Sequence, residues 1–142
     1  MIVVPFLPSH LKDLILHEYI NFVQDVLSDP EYSEFLNNGM SYTALVDGKV
    51  ICCAGFLKTG TSKLEAWALL SKDSGIHMLG ILRAMLRELK NLEYKRIQTN
   101  VRCDFKQGIK FIEALGFKNE TPNGMKDFGD DGHDYYLYAR CA

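Results

Sequence analysis

Hydrophobic residues recur along this chain with two different periods, and the places where the period changes mark its elements. Met78, Ile81, Leu82, Met85, Leu86 and Leu89 form one stripe, with Arg83, Arg87 and Lys90 facing away. That spacing predicts an amphipathic helix from His77 to about Asn91. Phe105, Ile109, Ile112 and Leu115 make the stripe of a last helix, which Gly116 ends. Near the start, Ser9 is placed to cap a helix carrying Leu11, Leu14, Ile15, Tyr19, Phe22, Val23 and Val26. Asp29-Pro30 restarts a helix, with proline at its favoured first position. Tyr32, Phe35 and Leu36 give that helix an apolar face, and Asn38-Gly39 ends it.

The remaining apolar runs read as strands. Ile2 to Leu7, broken by Pro5 and Pro8, fits a sheet edge. Ser41 to Val46 and Lys49 to Leu57 are joined by Asp47-Gly48, a strong hairpin signal. The second of these, "VICCAGFL", scarcely alternates, so it is expected centrally with both faces covered. A turn over Lys58 to Ser62 leads to a strand from Lys63 to Leu70 that carries the sole tryptophan, Trp67. Arg96 to Arg102 alternates Ile97, Thr99 and Val101 against Gln98, Asn100 and Arg102. In the tail, turns at Pro122-Asn123-Gly124 and Gly129 to Gly132 precede a final strand, Tyr135 to Ala139; Phe117 to Thr121 and Met125 to Phe128 both qualify as the penultimate one. A hairpin, then strand-helix-strand-helix, then a last strand predicts an α/β fold. Its central sheet is mixed and mostly antiparallel, with flanking helices and one parallel strand-helix-strand unit of right-handed crossover.

Composition narrows the possibilities. The 142 residues fit one domain, with 47% hydrophobic and 24% charged positions. A net charge of -2 without a Lys/Arg run disfavours nucleic acid as a partner. No run is long enough to span a bilayer and the N-terminus lacks a signal-peptide pattern, so the expectation is a cytoplasmic protein with no membrane partner. Cys52, Cys53, Cys103 and Cys141 show no C-x-x-C spacing and read as reduced, buried thiols. Asp127, Asp130, Asp131 and Asp134 lack the ligand spacing of a calcium loop, so no metal site is expected. His10 and His17 read as surface or half-buried residues, His133 as a hydrogen-bonding residue near the Asp130-Asp131 turn, and Tyr135, Tyr136 and Tyr138 as sheet packing.

The most chemically suggestive stretch runs from Ala66 to Phe117. A strand there passes through a Gly-containing turn, Ser71 to Gly75, into the long helix. The first amides of such a helix are unpaired, and with the positive end of its dipole they suit an anion such as a pyrophosphate.

This order of elements, closing on Phe111-Ile112-Glu113-Ala114-Leu115-Gly116-Phe117, resembles the Gcn5-related N-acetyltransferase (GNAT) family over essentially the whole length. The family turn Arg/Gln-x-x-Gly-x-Gly/Ala, whose amides hold the pyrophosphate of acetyl-CoA, aligns with Lys72-Asp73-Ser74-Gly75-Ile76-His77. Gly75 matches, Lys72 is an allowed cation, and His77 departs. The last helix, in the family Asn-x-x-Ala-x-x-x-Tyr-x-x-x-Gly-Phe, reads Phe105, Gly108, Ile112, Gly116 and Phe117 here. The asparagine position is thus Phe105, beside Asp104, and the tyrosine acid is Ile112. Trp67 to Asp73 and Ile109 to Gly116 are also similar to compact acetyltransferase-like proteins of tailed bacteriophages, some of them virion or host-interaction proteins.

The resemblance implies a single acetyltransferase-like domain over 1–142 with acetyl-CoA as co-substrate and a small-molecule or peptide amine as acceptor. It implies Glu65 as base, Leu69 or Leu70 as the backbone donor to the thioester carbonyl, and Lys72, Ser74, Gly75, Ile76, His77, Asp104 and Phe105 around the cofactor. The departures at His77, Phe105 and Ile112 keep a second reading open. In that reading the chain is a non-catalytic member of the fold with a protein partner, virion-associated if phage-encoded.

Overall fold

Seven strands form one mixed sheet in the order β1-β2-β3-β4-β5-β7-β6. They are β1 (Ile2–Pro5), β2 (Ser41–Val46), β3 (Lys49–Lys58), β4 (Lys63–Leu70), β5 (Arg96–Arg102), β6 (Lys118–Asn119) and β7 (Tyr135–Cys141). Among the described residues the helices are α1 (Pro30–Leu36), α2 (Met78–Asn91) and α3 (Lys106–Ala114), with short 3-10 turns at Pro8–Asp13 and Gly75–His77. The computed structural model describes residues 1–14, 29–38 and 40–142. Most of the opening helix expected after Ser9, with His17, lies outside the described residues, as does Gly39. What is described of that segment is the 3-10 turn, which begins after Leu7 and not at a Ser9 cap. There the Leu7 amide donates to His10 Nδ1 at 3.1 Å, and Pro8 suits the first helical position.

Two compact units are formed, one by residues 1–57 with 66–84 and the other by 58–65 with 85–142. In the first, β1 pairs antiparallel with β2 and β2 with β3, Pro5 lying opposite Tyr42 on an edge strand where its missing amide costs nothing. The near-unbroken apolar run of β3 is covered as expected: Val50 to Cys53, Gly55 and Phe56 are all buried. Phe6, Leu14, Leu36, Val50, Cys53 and Leu69 form the core, with Trp67 edge-on to Phe6 at 5.6 Å. Asp29 caps α1, its Oδ1 accepting from the Glu31 amide at 3.0 Å, and the helix ends at Leu36, before Asn38.

In the second unit, β4 and β5 pair in parallel through Lys63–Arg96, Leu64–Ile97 and Glu65–Gln98. Strand β5 pairs antiparallel with β7 along its full length. The two rival runs in the tail both reach β7: Lys118 and Asn119 pair with Ala139 and Tyr138, while Met125 makes a lone bridge to Tyr135. Ile97, Val101, Phe105, Leu115, Phe117 and Tyr138 are buried here. Gly116 closes α3 at φ +88°, a conformation that favours glycine.

Candidate functional site

The turn between β4 and α2 begins with a residue that is fully enclosed. Ser71 is 1% exposed, and its amide donates to the Ile51 carbonyl at 2.9 Å, carrying β3 alongside the turn. Its own oxygens then organise the turn. Ser71 Oγ accepts from the Asp73 amide at 3.1 Å and the Ser71 carbonyl from the Ser74 amide at 3.0 Å. The His77 amide donates to the Ser74 carbonyl at 2.8 Å, closing the 3-10 turn. These bonds use up several of the amides expected to face outward. Those of Gly75 and Ile76 have no acceptor among the described residues and stand at the positive end of α2.

The side chains sort themselves accordingly. Leu69 is buried in the core cluster and Ser74 is buried in the turn, so both can offer a ligand only backbone groups. Leu70 and His77 are half-buried, Lys72 and Gly75 are exposed, and Ile76 is 90% exposed. A Cβ at Gly75 would meet no atom within 4 Å, and its φ is not positive. The fold therefore does not itself require glycine there, and the free side of residue 75 faces open space. Sequence reading did not single out Lys49, whose Nζ lies 2.7 Å from Asp73 Oδ2. That hydrogen bond holds the Asp73 carboxyl below its ordinary range.

Glu65 and the remaining candidates belong to the other unit. Glu65 is half-buried on β4, opposite Gln98 of β5. Asp104 is exposed but occupied: Arg102 Nε and Nη2 donate to its two oxygens at 2.9 and 2.8 Å, and these bonds lower its pKa. Phe105 is 9% exposed, its ring packed over Gly108. Ile112 is half-buried and supplies no proton. Tyr138 donates to Glu113 Oε2 at 3.3 Å, and Tyr135 donates to Asp131 Oδ2 at 2.9 Å.

The thiols need one correction. Cys52 and Cys53 are buried, and burial pushes both thiols up, Cys53 to about 11. Cys103 is only half-buried, and Cys141, the last residue of β7, is exposed. Among the described residues no cluster of His, Cys, Asp or Glu could hold a metal, and no helix is long and apolar enough to cross a membrane.

No family model and no curated protein matches the sequence. Solved structures do match. Ard1 from Thermoplasma volcanium superposes with a TM-score of 0.74 at 13% identity, over 99% of this chain and 97% of that one. A GNAT-family acetyltransferase from Streptococcus pneumoniae gives 0.72 at 14% identity, over 99% and 98%. The ribosomal-protein-alanine N-acetyltransferase of Brucella melitensis gives 0.72 at 12% identity, with both chains covered in full. Identity this low speaks for shape and not for substrate. The seven-stranded mixed sheet with its flanking helices is the GNAT fold.

Proposed function

We propose that this protein transfers an acetyl group from acetyl-CoA to an amine. The observation that carries the reading is Gly75: a glycine that the backbone does not need, facing open space beside amides with no acceptor among the described residues, at the head of a 14-residue helix. In a GNAT fold that is where a diphosphate has reason to approach the main chain closely. The amides of Gly75 and Ile76, with the α2 dipole and the Lys72 ammonium, would bind it. Ser74 and His77 shape this turn through their shared hydrogen bond. A backbone amide at Leu69 or Leu70 would polarise the thioester carbonyl, a fixed donor aimed at developing charge.

Glu65 takes the proton that the amine nitrogen releases as the new C–N bond forms and the thioester C–S bond breaks. The departing thiolate takes its proton from water, since Ile112 has none to give. A thiol of pKa about 8.5 is a tolerable leaving group at neutral pH. Missing acid assistance would cost roughly 10²–10⁴-fold in rate. Phe105 stands at the family's asparagine position with Asp104 beside it, but Asp104 is paired with Arg102 and Phe105 is buried, which leaves them a supporting part at most. The acceptor class is an amine, on a small molecule or a peptide.

Calorimetry with acetyl-CoA, followed by an acetylation assay over a panel of amines and peptides, tests the proposal. Binding in the micromolar range with turnover is expected. No binding at millimolar cofactor overturns it, and would favour a non-catalytic member of the fold that serves a protein partner.

A further inference from the structure

We infer that Lys49, on the hairpin between β2 and β3, contacts a phosphate of the bound nucleotide, and that the Asp73 carboxylate holds its place until then. The inference rests on the acetyl-CoA reading and adds to it a residue twenty-four positions before Asp73.

The backbone puts Lys49 there. The Ser71 amide bonds the Ile51 carbonyl, which continues the run of β3 past the end of β4. Two residues outward along each segment lie Lys49 and Asp73, and their side chains meet at 2.7 Å. The contact is thus a consequence of strand register and not of a chance surface encounter. It leaves the ammonium next to the turn that ends in the open amides of Gly75 and Ile76.

The pair contributes little as a fastening. Both side chains are about half exposed, 54% for Lys49 and 45% for Asp73, and exposed pairs of this kind add little to stability. The Ser71–Ile51 bond already joins the two segments. Electrostatics gives the pair a clearer purpose. Asp73 is the only carboxylate between Ser71 and His77, and alone it would repel a diphosphate at the adjacent amides. Lys49 cancels that charge. Its ammonium carries three donors on a flexible stem, so a more highly charged phosphate can draw it over without loss of a fixed structural bond. An anion already sits on Lys49 in the free protein, and it is the protein's own.

Calorimetry on the full chain with acetyl-CoA and with 3′-dephospho-CoA tests this. Lys49→Ala is expected to weaken acetyl-CoA binding about tenfold, the loss of one charge-assisted contact. Lys49→Arg should restore most of it, and Asp73→Asn should tighten binding several-fold. All three variants should melt at the wild-type temperature. An equal loss on both nucleotides assigns the contact to the diphosphate; a loss confined to acetyl-CoA assigns it to the 3′-phosphate. Wild-type binding with an unchanged Lys49→Ala affinity overturns this inference and leaves the acetyl-CoA reading standing. Failure of the wild type to bind either nucleotide overturns both.

Discussion

The ring of Phe105 occupies the space in which a side chain at position 108 would begin: a Cβ on Gly108 would stand 2.6 Å from Phe105 Cδ2 and 2.7 Å from Cε2. Phe105 and Gly108 are therefore matched in size: the large ring lies over the residue three positions on, and only a residue without a side chain leaves room for it. In an open helix Gly→Ala gains about 0.5–1 kcal/mol. Here the added methyl meets a buried ring, and overpacking of that kind costs about 1–3 kcal/mol. Gly108→Ala should accordingly lower stability by about 1–2 kcal/mol in urea unfolding. Phe105→Leu with Gly108→Ala should lose less than the sum of the two single changes, because the clash disappears with the ring.

Gly55 is held more tightly still. Its missing Cβ would lie 2.6 Å from the Met40 carbonyl oxygen and 2.7 Å from Ser41 Cα, both of them backbone atoms. That backbone cannot retreat easily. The Phe56 amide donates to the same Met40 carbonyl at 3.1 Å, and Asn38 Nδ2 donates to the Phe56 carbonyl at 2.8 Å. Gly55→Ala should cost about 3 kcal/mol or more, the upper end of overpacking. A denaturation midpoint within error of wild type would show that the strand crossing at Ser41 and Gly55 is not this close.

Burial of Cys53 makes stability depend on alkaline pH. The thiol is fully enclosed and pushed up to about 11, chiefly by loss of water and against the hydrogen bond with Thr43, which lowers it. In the unfolded chain it ionises near about 8.5. Its folded value is the higher one, so the folded state keeps a proton that the unfolded state has shed. The stabilisation is complete below about 8.5 and is lost as pH rises toward 11, by roughly 3 kcal/mol in all. Cys53→Ala should be less stable than wild type at pH 7, and that gap should narrow or reverse by pH 10.5. Parallel pH curves for the two proteins would contradict the assignment.

Local pattern carried most of the fold because most elements are settled locally. The stripe from Met78 to Leu89 and the Asp47-Gly48 turn need no distant partner to be read, and both sit where expected. The stretch after Phe117 was ambiguous for a physical reason. Strand β6 is only Lys118–Asn119, and its existence is decided by pairing with Tyr138 and Ala139, about twenty residues on. The turn from Ser71 to His77 was legible as a helix start, but which amides stay free was not. That depends on Ser71 being buried and tied to β3 through the Ile51 carbonyl, with its own two oxygens capturing two of those amides. Lys49 was invisible for the same kind of reason, since only the register of β3 brings it to Asp73. The Arg102–Asp104 fork lies two residues apart along the chain, yet a pairing of arginine with carboxylate at that spacing has no distinctive sequence signature.

Gly75 separates folding from binding. With no positive φ and no atom within 4 Å of a would-be Cβ, Gly75→Ala should not unfold the protein. Less freedom in the unfolded chain should even add up to about 1 kcal/mol. For a ligand gripped by the amides of Gly75 and Ile76 the same methyl is an obstacle, because close approach to the main chain is what glycine permits. The expected result is an unchanged or slightly raised melting temperature together with a loss of at least about tenfold in acetyl-CoA affinity, or about 1.4 kcal/mol. A general weakening of the fold would move both quantities downward, and so cannot imitate this pattern. If wild type binds the cofactor and Gly75→Ala binds it equally well, the diphosphate does not rest on this turn, and the head of α2 loses its place in the mechanism.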